Sequence, residues 1–293
     1  MSKALAFDIG GTKISYSIID ENGKIISEVK KFHTPKSIEG IEEILKNAIA
    51  EHENDVDAIA IATAGSVNKE NTRVIGSTGN LVKGYNTIDF QALSPKKVFV
   101  ANDANAAAWA EHEVGASQNC ADSVMLTLGT GVGGGIIIDN KVFTGKSGAA
   151  GEMHFKMYSD KRRRCTCGSW DCFEAYASGT GLKRTAEEML NDKDVTTYDV
   201  MDGVKNGDKK MTEVFDRWQE DITNGIIGLA NLFDPDCFVL SGSMAQFVDC
   251  KKIEDEVNSV IVTTKTSVRK GTAGNYSGMI GAALLALKSL EAK

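Results

Sequence analysis

Only three prolines occur in 293 residues, and no low-complexity segment of linker length is present, so composition marks no linker. A domain boundary has to be found from the order of the elements. No uninterrupted apolar run approaches the roughly 20 residues needed to cross a bilayer. The apolar residues 4–7 are cut short by Asp8, too early for a signal peptide. The chain is expected to be soluble and cytoplasmic, without a membrane partner. A basic surplus is missing too, since 40 acidic residues outweigh 33 basic ones for a net charge of −7. Binding a phosphate backbone needs the opposite balance, so nucleic acid is not expected as a partner, and the basic run 161–164 reads as a solvated loop. Cysteines number six, but three of them crowd into Cys165, Cys167 and Cys172, a spacing that suits a metal ion better than disulfides.

What is present is enough apolar material, 42% of the chain, for two ordinary cores, and two domains imply a cleft. The central stretch is residues 98–111, which reads as a buried strand from Val98 ending at Asp103, followed by an alanine-rich helix from Ala104. The change of period falls on Asn102-Asp103. Open α/β sheets bind ligands at such a place, although a lone Asp103 there could equally cap the helix.

Glycine-rich tips lie on both sides of this switch. Residues 3–9 read as a strand, Asp8-Ile-Gly10-Gly11-Thr12-Lys13 as a tip, and residues 14–19 as the returning strand. Paired glycines bring backbone N–H groups close to an anion, while Thr12 adds a hydroxyl and Lys13 a charge. Residues 123–138 repeat the pattern around Gly129-Thr130-Gly131-Val-Gly133. This run is not the dinucleotide fingerprint, because a β-branched strand follows it instead of a helix. Two similar tips opening two halves suggest lobes that close on one nucleotide triphosphate. Helices are expected over 39–53, 175–190, 211–233 and 278–291, and buried strands over 58–62 and 234–241. The turn-rich residues 67–94 read as a pocket wall, since long connections without structure of their own are usually functional.

The tip at 8–13, Asn102-Asp103, the run 129–135, Ala150-Gly-Glu-Met-His154, Cys165-x-Cys-Gly-x3-Cys-x-Glu174 and Leu240-Ser-Gly-Ser243 occur in one order. In that order they resemble the ROK family of bacterial repressors and sugar kinases over nearly the whole chain. The resemblance implies an α/β fold of two RNase-H-like lobes, of the actin and hexokinase type, with an interlobe cleft. Residues 1–116 would form the first lobe and 117–277 the second, with the helix 278–293 returning to the first. The loops 64–68, 76–78, 85–89, 165–169 and 174–179 look like those of N-acetylmannosamine kinases. Such an enzyme uses ATP and Mg2+ to phosphorylate the sugar 6-hydroxyl in sialic-acid catabolism. N-acetylglucosamine, glucose and fructose are the alternative substrates.

By this resemblance Asp103 is the base, and Gly65, Ser66, Thr78, Asn102, Glu152, His154 and Glu174 line the sugar pocket. Asp8, Gly10, Gly11, Thr12, Lys13, Thr130, Gly131, Gly242 and Ser243 would hold ATP. Cys165, Cys167, Cys172 and His154 would bind structural zinc, His154 being the less regular member because it follows Glu152 by two residues where the family has three. Asp171 also stands where the family often has glycine. A homodimer is expected. A repressor would carry a helix-turn-helix before the first tip, which this chain reaches at residue 8.

Overall fold

The protein is described by a computed structural model covering residues 1–76 and 81–291. The first elements are β1 (Lys3–Ile9), β2 (Lys13–Asp20), β3 (Lys30–His33), α1 (Ile38–His52) and β4 (Ala58–Thr63). A short ribbon, β5 (Ser66–Val67) with β6 (Val74–Gly76), precedes β7 (Val98–Asn102) and α2 (Asp103–Val114). Then come β8 (Ser123–Leu128), β9 (Val132–Ile138), β10 (Lys141–Val142), α3 (Glu174–Ala177), α4 (Gly179–Leu190), α5 (Thr197–Lys205) and α6 (Lys209–Phe233). The chain ends with β11 (Cys237–Ser241), α7 (Cys250–Val260), β12 (Ser267–Lys270) and α8 (Ser277–Glu291).

Two five-stranded sheets have the orders β3-β2-β1-β4-β7 and β10-β9-β8-β11-β12, the same RNase-H-like order twice. In the first, β2 runs antiparallel to β1, whereas β4 and β7 continue parallel from it. In the second, β11 is parallel to both β8 and β12. The internal repeat read from the glycine tips is thus a repeat of whole sheets. Contacts divide the chain into Met1–Ala121 with Gly135–Gly151 and Gly271–Lys293, and Asp122–Gly134 with Glu152–Lys270. Residues 135–151, placed by the sequence reading in the second half, therefore cluster with the first.

Period-two alternation decides what covers the first sheet. Leu5, Phe7 and Ile9 of β1 and Ile59 and Ile61 of β4 point to one face, where Ile41, Leu45 and Ile49 of α1 complete a core. Each such side chain contributes on the order of 1.5–3 kcal/mol when fully buried. The other face presents Ala4, Ala6, Ala58, Ala60 and Ala62, and this small-residue surface lets α8 pack on β1 and β4. A Cβ on Gly281 of α8 would lie 1.7 Å from the Ala106 carbonyl oxygen of α2, and one on Gly135 of β9 would lie 2.5 Å from the Ala108 methyl. The alanines of α2 are thus explained by close packing on two sides as well as by helix propensity.

Three expectations change. Residues 175–190 are two helices, because Ser178 breaks the run in an extended conformation and caps α4 by accepting the Gly181 N–H at 3.0 Å. The Trp218 indole of α6 donates to the Ser178 carbonyl at 3.0 Å and holds that break in place. At the central switch, β7 ends at Asn102, which is itself the N-cap of α2; Asp103 is the first helical residue. The edge strands β3 and β12 and the helices α5 and α7 are additional to the elements expected from the sequence.

Candidate functional site

In the first unit the carboxyl ends of three parallel strands converge. Thr63 of β4 pairs in register with Ile9 of β1 on one side and Asn102 of β7 on the other. Asp8, the half-buried residue before Ile9, and Asp103, the one after Asn102, flank this middle strand. Asn102 accepts the Asn105 N–H at 3.0 Å, which fixes its amide: Nδ2 then donates to the Gly65 carbonyl at 3.1 Å and to Asp103 Oδ1 at 3.2 Å. Asp103 Oδ1 also accepts the Ala104 N–H at 2.9 Å. Asp103 therefore has a set orientation before any ligand arrives.

Gly65 can hold this position because it is glycine. Its φ is +96°, and a Cβ would come within 2.4 Å of the Gly76 carbonyl oxygen. Ser66 pairs with Gly76 in the β5–β6 ribbon. Thr78 lies outside the described residues. The hairpin tip is closed by the Gly10 N–H donating to the Lys13 carbonyl at 3.0 Å, and tied down where the Thr34 hydroxyl donates to the Gly10 carbonyl at 2.6 Å. Gly11, Thr12 and Lys13 are exposed. Among the described residues, a Cβ on Gly10 would have only the Lys13 carbonyl oxygen within 4 Å, at 3.5 Å. Burial raises the Asp8 carboxyl above the ordinary range, with the Lys13 charge working against it.

The second unit collects the remaining residues. Its tip is closed by the Gly129 N–H donating to the Gly131 carbonyl at 3.0 Å. The start of α4 covers the tip: the Gly179 N–H donates to the Gly129 carbonyl at 2.8 Å and the Thr180 hydroxyl to the Thr130 carbonyl at 2.8 Å. Gly242, at φ +90°, packs where a Cβ would be 2.5 Å from the Leu128 carbonyl, and the Met244 N–H donates to that same oxygen at 2.9 Å. Gly242 and exposed Ser243 thus stand at the tip of the β8–β9 hairpin. Gly179, which entered the sequence reading only within the loop 174–179, and Thr180 were not assigned to the nucleotide site, although Ser178-Gly-Thr-Gly is a legible helix-start signal.

Beside this tip the ligand atoms of His154, Cys165, Cys167 and Cys172 all lie within 4.8 Å of one another. A tetrahedral zinc with bonds of about 2.3 Å to sulfur and 2.0–2.1 Å to nitrogen needs ligand separations of roughly 3.5–3.8 Å. Cys165 Sγ is 3.6 Å from His154 Nδ1, and Cys167 Sγ is 3.5 Å from Cys172 Sγ. The residues fit the ion. Burial pushes the Cys165 thiol up to about 12, and it also raises Cys172, so these sulfurs favour the neutral thiol unless a cation compensates. The shortened Glu152-Met-His154 spacing is accommodated by alternation: Met153 is buried, and His154 Nε2 lies 3.7 Å from Glu152 Oε2. One imidazole can therefore face the sulfurs with Nδ1 and a carboxylate with Nε2, the arrangement that orients metal-bound histidines.

Asp171 occupies a left-handed position, φ +57°, which accounts for glycine being usual there. Its buried carboxylate accepts the N–H groups of Lys161 at 2.7 Å and Arg163 at 2.9 Å and the Tyr176 hydroxyl at 2.7 Å. These bonds offset the backbone strain. Against burial, which would raise it, the Arg163 N–H and Tyr176 hydroxyl hold this carboxyl below the ordinary range. Glu174 opens α3 next to the cysteines; its Oε1 accepts the Thr166 hydroxyl at 2.5 Å, and its Oε2 accepts the Val132 N–H at 3.2 Å.

A family model described as the ROK family matches residues 4–289. The chain is similar to a glucokinase of Streptomyces coelicolor, with 32% identity over 332 aligned residues and 98% of each chain covered. It is also similar to an N-acetylmannosamine kinase of Yersinia pestis, 30% identical over 295 aligned residues, covering 99% of this chain and all of the other. Among solved structures, a ROK family glucokinase from Streptomyces griseus in complex with glucose and AMPPNP superposes with a TM-score of 0.79 at 31% identity. That superposition covers 98% of this chain and 100% of the other.

Proposed function

The chain belongs to the ROK family, and from that premise we propose that it is a sugar kinase transferring the γ-phosphoryl group of ATP to the 6-hydroxyl of N-acetylmannosamine. The observation that carries this reading is Asp103, held at the carboxyl end of β7 by Asn102 and the Ala104 N–H. A sugar hydroxyl has an acidity near that of water, about 15.7, against roughly 3.9 for a carboxylic acid; forming a free alkoxide first would cost on the order of 16 kcal/mol. Proton transfer is therefore late. Asp103 orients the hydroxyl for in-line attack and takes its proton as the bond to phosphorus forms.

The two glycine tips supply backbone N–H groups for the phosphates, with Lys13 as a point charge. Asp8 would hold Mg2+ through water, and the cation would neutralise charge on the phosphoryl oxygens. His154 and the three cysteines would hold a zinc ion of structural type, since four protein ligands close the coordination. On the sugar side, Gly65, Ser66, Thr78, Asn102, Glu152, His154 and Glu174 are the residues proposed to hold the hydroxyls and the acetamido group.

The N-acetylmannosamine assignment is supported by the small, hydrogen-bonding Ser66 and by likeness to the Yersinia enzyme. Glucose is the second reading, because the Streptomyces glucokinase is similar to the chain at much the same identity. A site whose polar groups pair with an acetamido function leaves them unpaired with a plain hexose, a preference reaching about 10⁴. ATP consumption measured with N-acetylmannosamine, N-acetylglucosamine, mannose, glucose and fructose tests both levels. N-acetylmannosamine is expected to give the highest kcat/KM. Glucose or fructose exceeding both N-acetyl sugars would overturn the substrate while leaving a kinase, and no ATP consumption with any sugar would overturn the kinase.

A further inference from the structure

Tyr85 entered the sequence reading only as the first residue of the loop 85–89 and has no role assigned above, yet its hydroxyl meets Thr63 at the end of the middle strand. The side chain is fully buried, and its hydroxyl lies 2.7 Å from the Thr63 hydroxyl, which is equally buried at the end of the middle strand. The direction of that bond follows from the next one. Thr63 Oγ1 is 3.1 Å from the Ala64 carbonyl, an oxygen that can only accept, so the threonine spends its single proton there and the tyrosine must donate to it. Burial pushes the pKa of the phenol up, the Thr63 hydrogen bond opposes this and the negative charges of Asp103 and Asp8 add to it, so the tyrosine keeps its proton throughout the working pH range.

The bonds continue into the site. Ala64 is followed by Gly65, whose carbonyl accepts from Asn102 Nδ2, and the same amide nitrogen donates to Asp103 Oδ1. The turn is bounded as well by the strand pairing of Thr63, by the Ala64 N–H donating to the Ile9 carbonyl at 3.4 Å and by Ser66 pairing with Gly76. Gly65 sits at φ +96°, a conformation glycine adopts without preferring it. We infer that Tyr85 is a positioning residue for substrate, acting through Thr63 to set the Thr63–Gly65 turn and hence the Asn102–Asp103 pair that receives the sugar. Its class of ligand is the one already proposed, a hexose or its N-acetylamino derivative, and the inference rests on that reading. A purely structural tyrosine would not need its hydroxyl, because the ring is already packed edge-on against Phe90 at 6.0 Å between centroids.

The test removes one oxygen. Tyr85→Phe keeps the ring and Thr63→Val keeps the shape, so both are expected to fold. Each should raise KM for the sugar about tenfold or more while KM for ATP changes less than about twofold. Thr63→Ser restores the hydroxyl and should return sugar KM to near the wild-type value. The Tyr85→Phe/Thr63→Val double variant should be no worse than either single one, because both cut the same link. Backbone hydrogen exchange supplies a readout independent of catalysis: Tyr85→Phe should speed exchange about tenfold at residues 64–66 and leave α1 unchanged. Unchanged sugar KM, equal loss of sugar and ATP, or additive single variants would overturn the inference. If the wild type phosphorylates no sugar, the proposed function fails, and unaltered exchange at 64–66 in Tyr85→Phe would then overturn the relay separately.

Discussion

The Glu174 carboxylate accepts the Val132 backbone N–H at 3.2 Å, tying the second glycine tip to the cysteine-rich loop. The two tips should therefore respond differently to one substitution. A Cβ on Gly131 would lie 2.5 Å from Glu174 Oε2, whereas one on Gly10 would meet nothing closer than the Lys13 carbonyl at 3.5 Å. Gly10→Val is expected to weaken ATP at least tenfold with sugar affinity little changed, by blocking backbone approach to phosphate. Gly131→Val should weaken both ligands, because it also displaces Glu174. Titration calorimetry with each ligand checks this; equal behaviour of the two variants would remove Glu174 from the link.

Asp103→Asn keeps the size and the Ala104 contact but loses the proton acceptor. Turnover at saturating substrates is expected to fall by 10² to 10⁴, the usual contribution of a positioned base, with sugar Kd within about threefold of wild type. Retention of more than a tenth of wild-type turnover would take the base role away from Asp103.

Zinc should be present at one ion per chain by elemental analysis, and Cys172→Ser should lose it. Cys165 and Cys172 are held in the neutral form by burial, and a cation is what offsets the cost of their ionisation. Chelation at neutral pH is expected to lower Tm by about 5 °C or more, and added zinc to restore it. A protein that purifies without zinc and keeps the same Tm under chelator would show that packing alone orders the loop.

Asp8 gives a pH dependence of defined sign. Its carboxyl is raised by burial, so the folded chain without nucleotide binds a proton more readily than the unfolded chain does. Stability of that form should fall as pH rises between the unfolded and folded values. Nucleotide affinity runs the other way: protonated Asp8 carries no charge to hold a hydrated magnesium ion, so MgATP should weaken as pH drops through the raised value. Asp8→Asn should abolish this dependence. An identical pH profile of MgATP binding in the variant would mean that another group titrates.

Much of the fold is legible in the chain, because it rests on local periodicity. The alternation of Leu5, Phe7 and Ile9 with Ala4 and Ala6, and the change of period at Asn102, are readable from neighbouring residues alone, and so is the echo of the two glycine tips. The ordered motifs from Asp8 to Ser243 are enough to place the chain in its family. Tertiary structure decided the matters that depend on residues distant in sequence meeting at a fixed separation. The pairing of Tyr85 with Thr63 arises from a backbone path that no periodicity encodes. Gly281 against Ala106 and Gly135 against Ala108 look like ordinary small residues until their elements are brought within contact distance. His154 is the sharpest case: its irregular spacing left its role open, and the placement of Nδ1 beside Cys165 Sγ depends on how the loop 155–164 closes. Side-chain convergence is set by the packing of whole elements, and a one-dimensional pattern carries the period of each element without the distance between them.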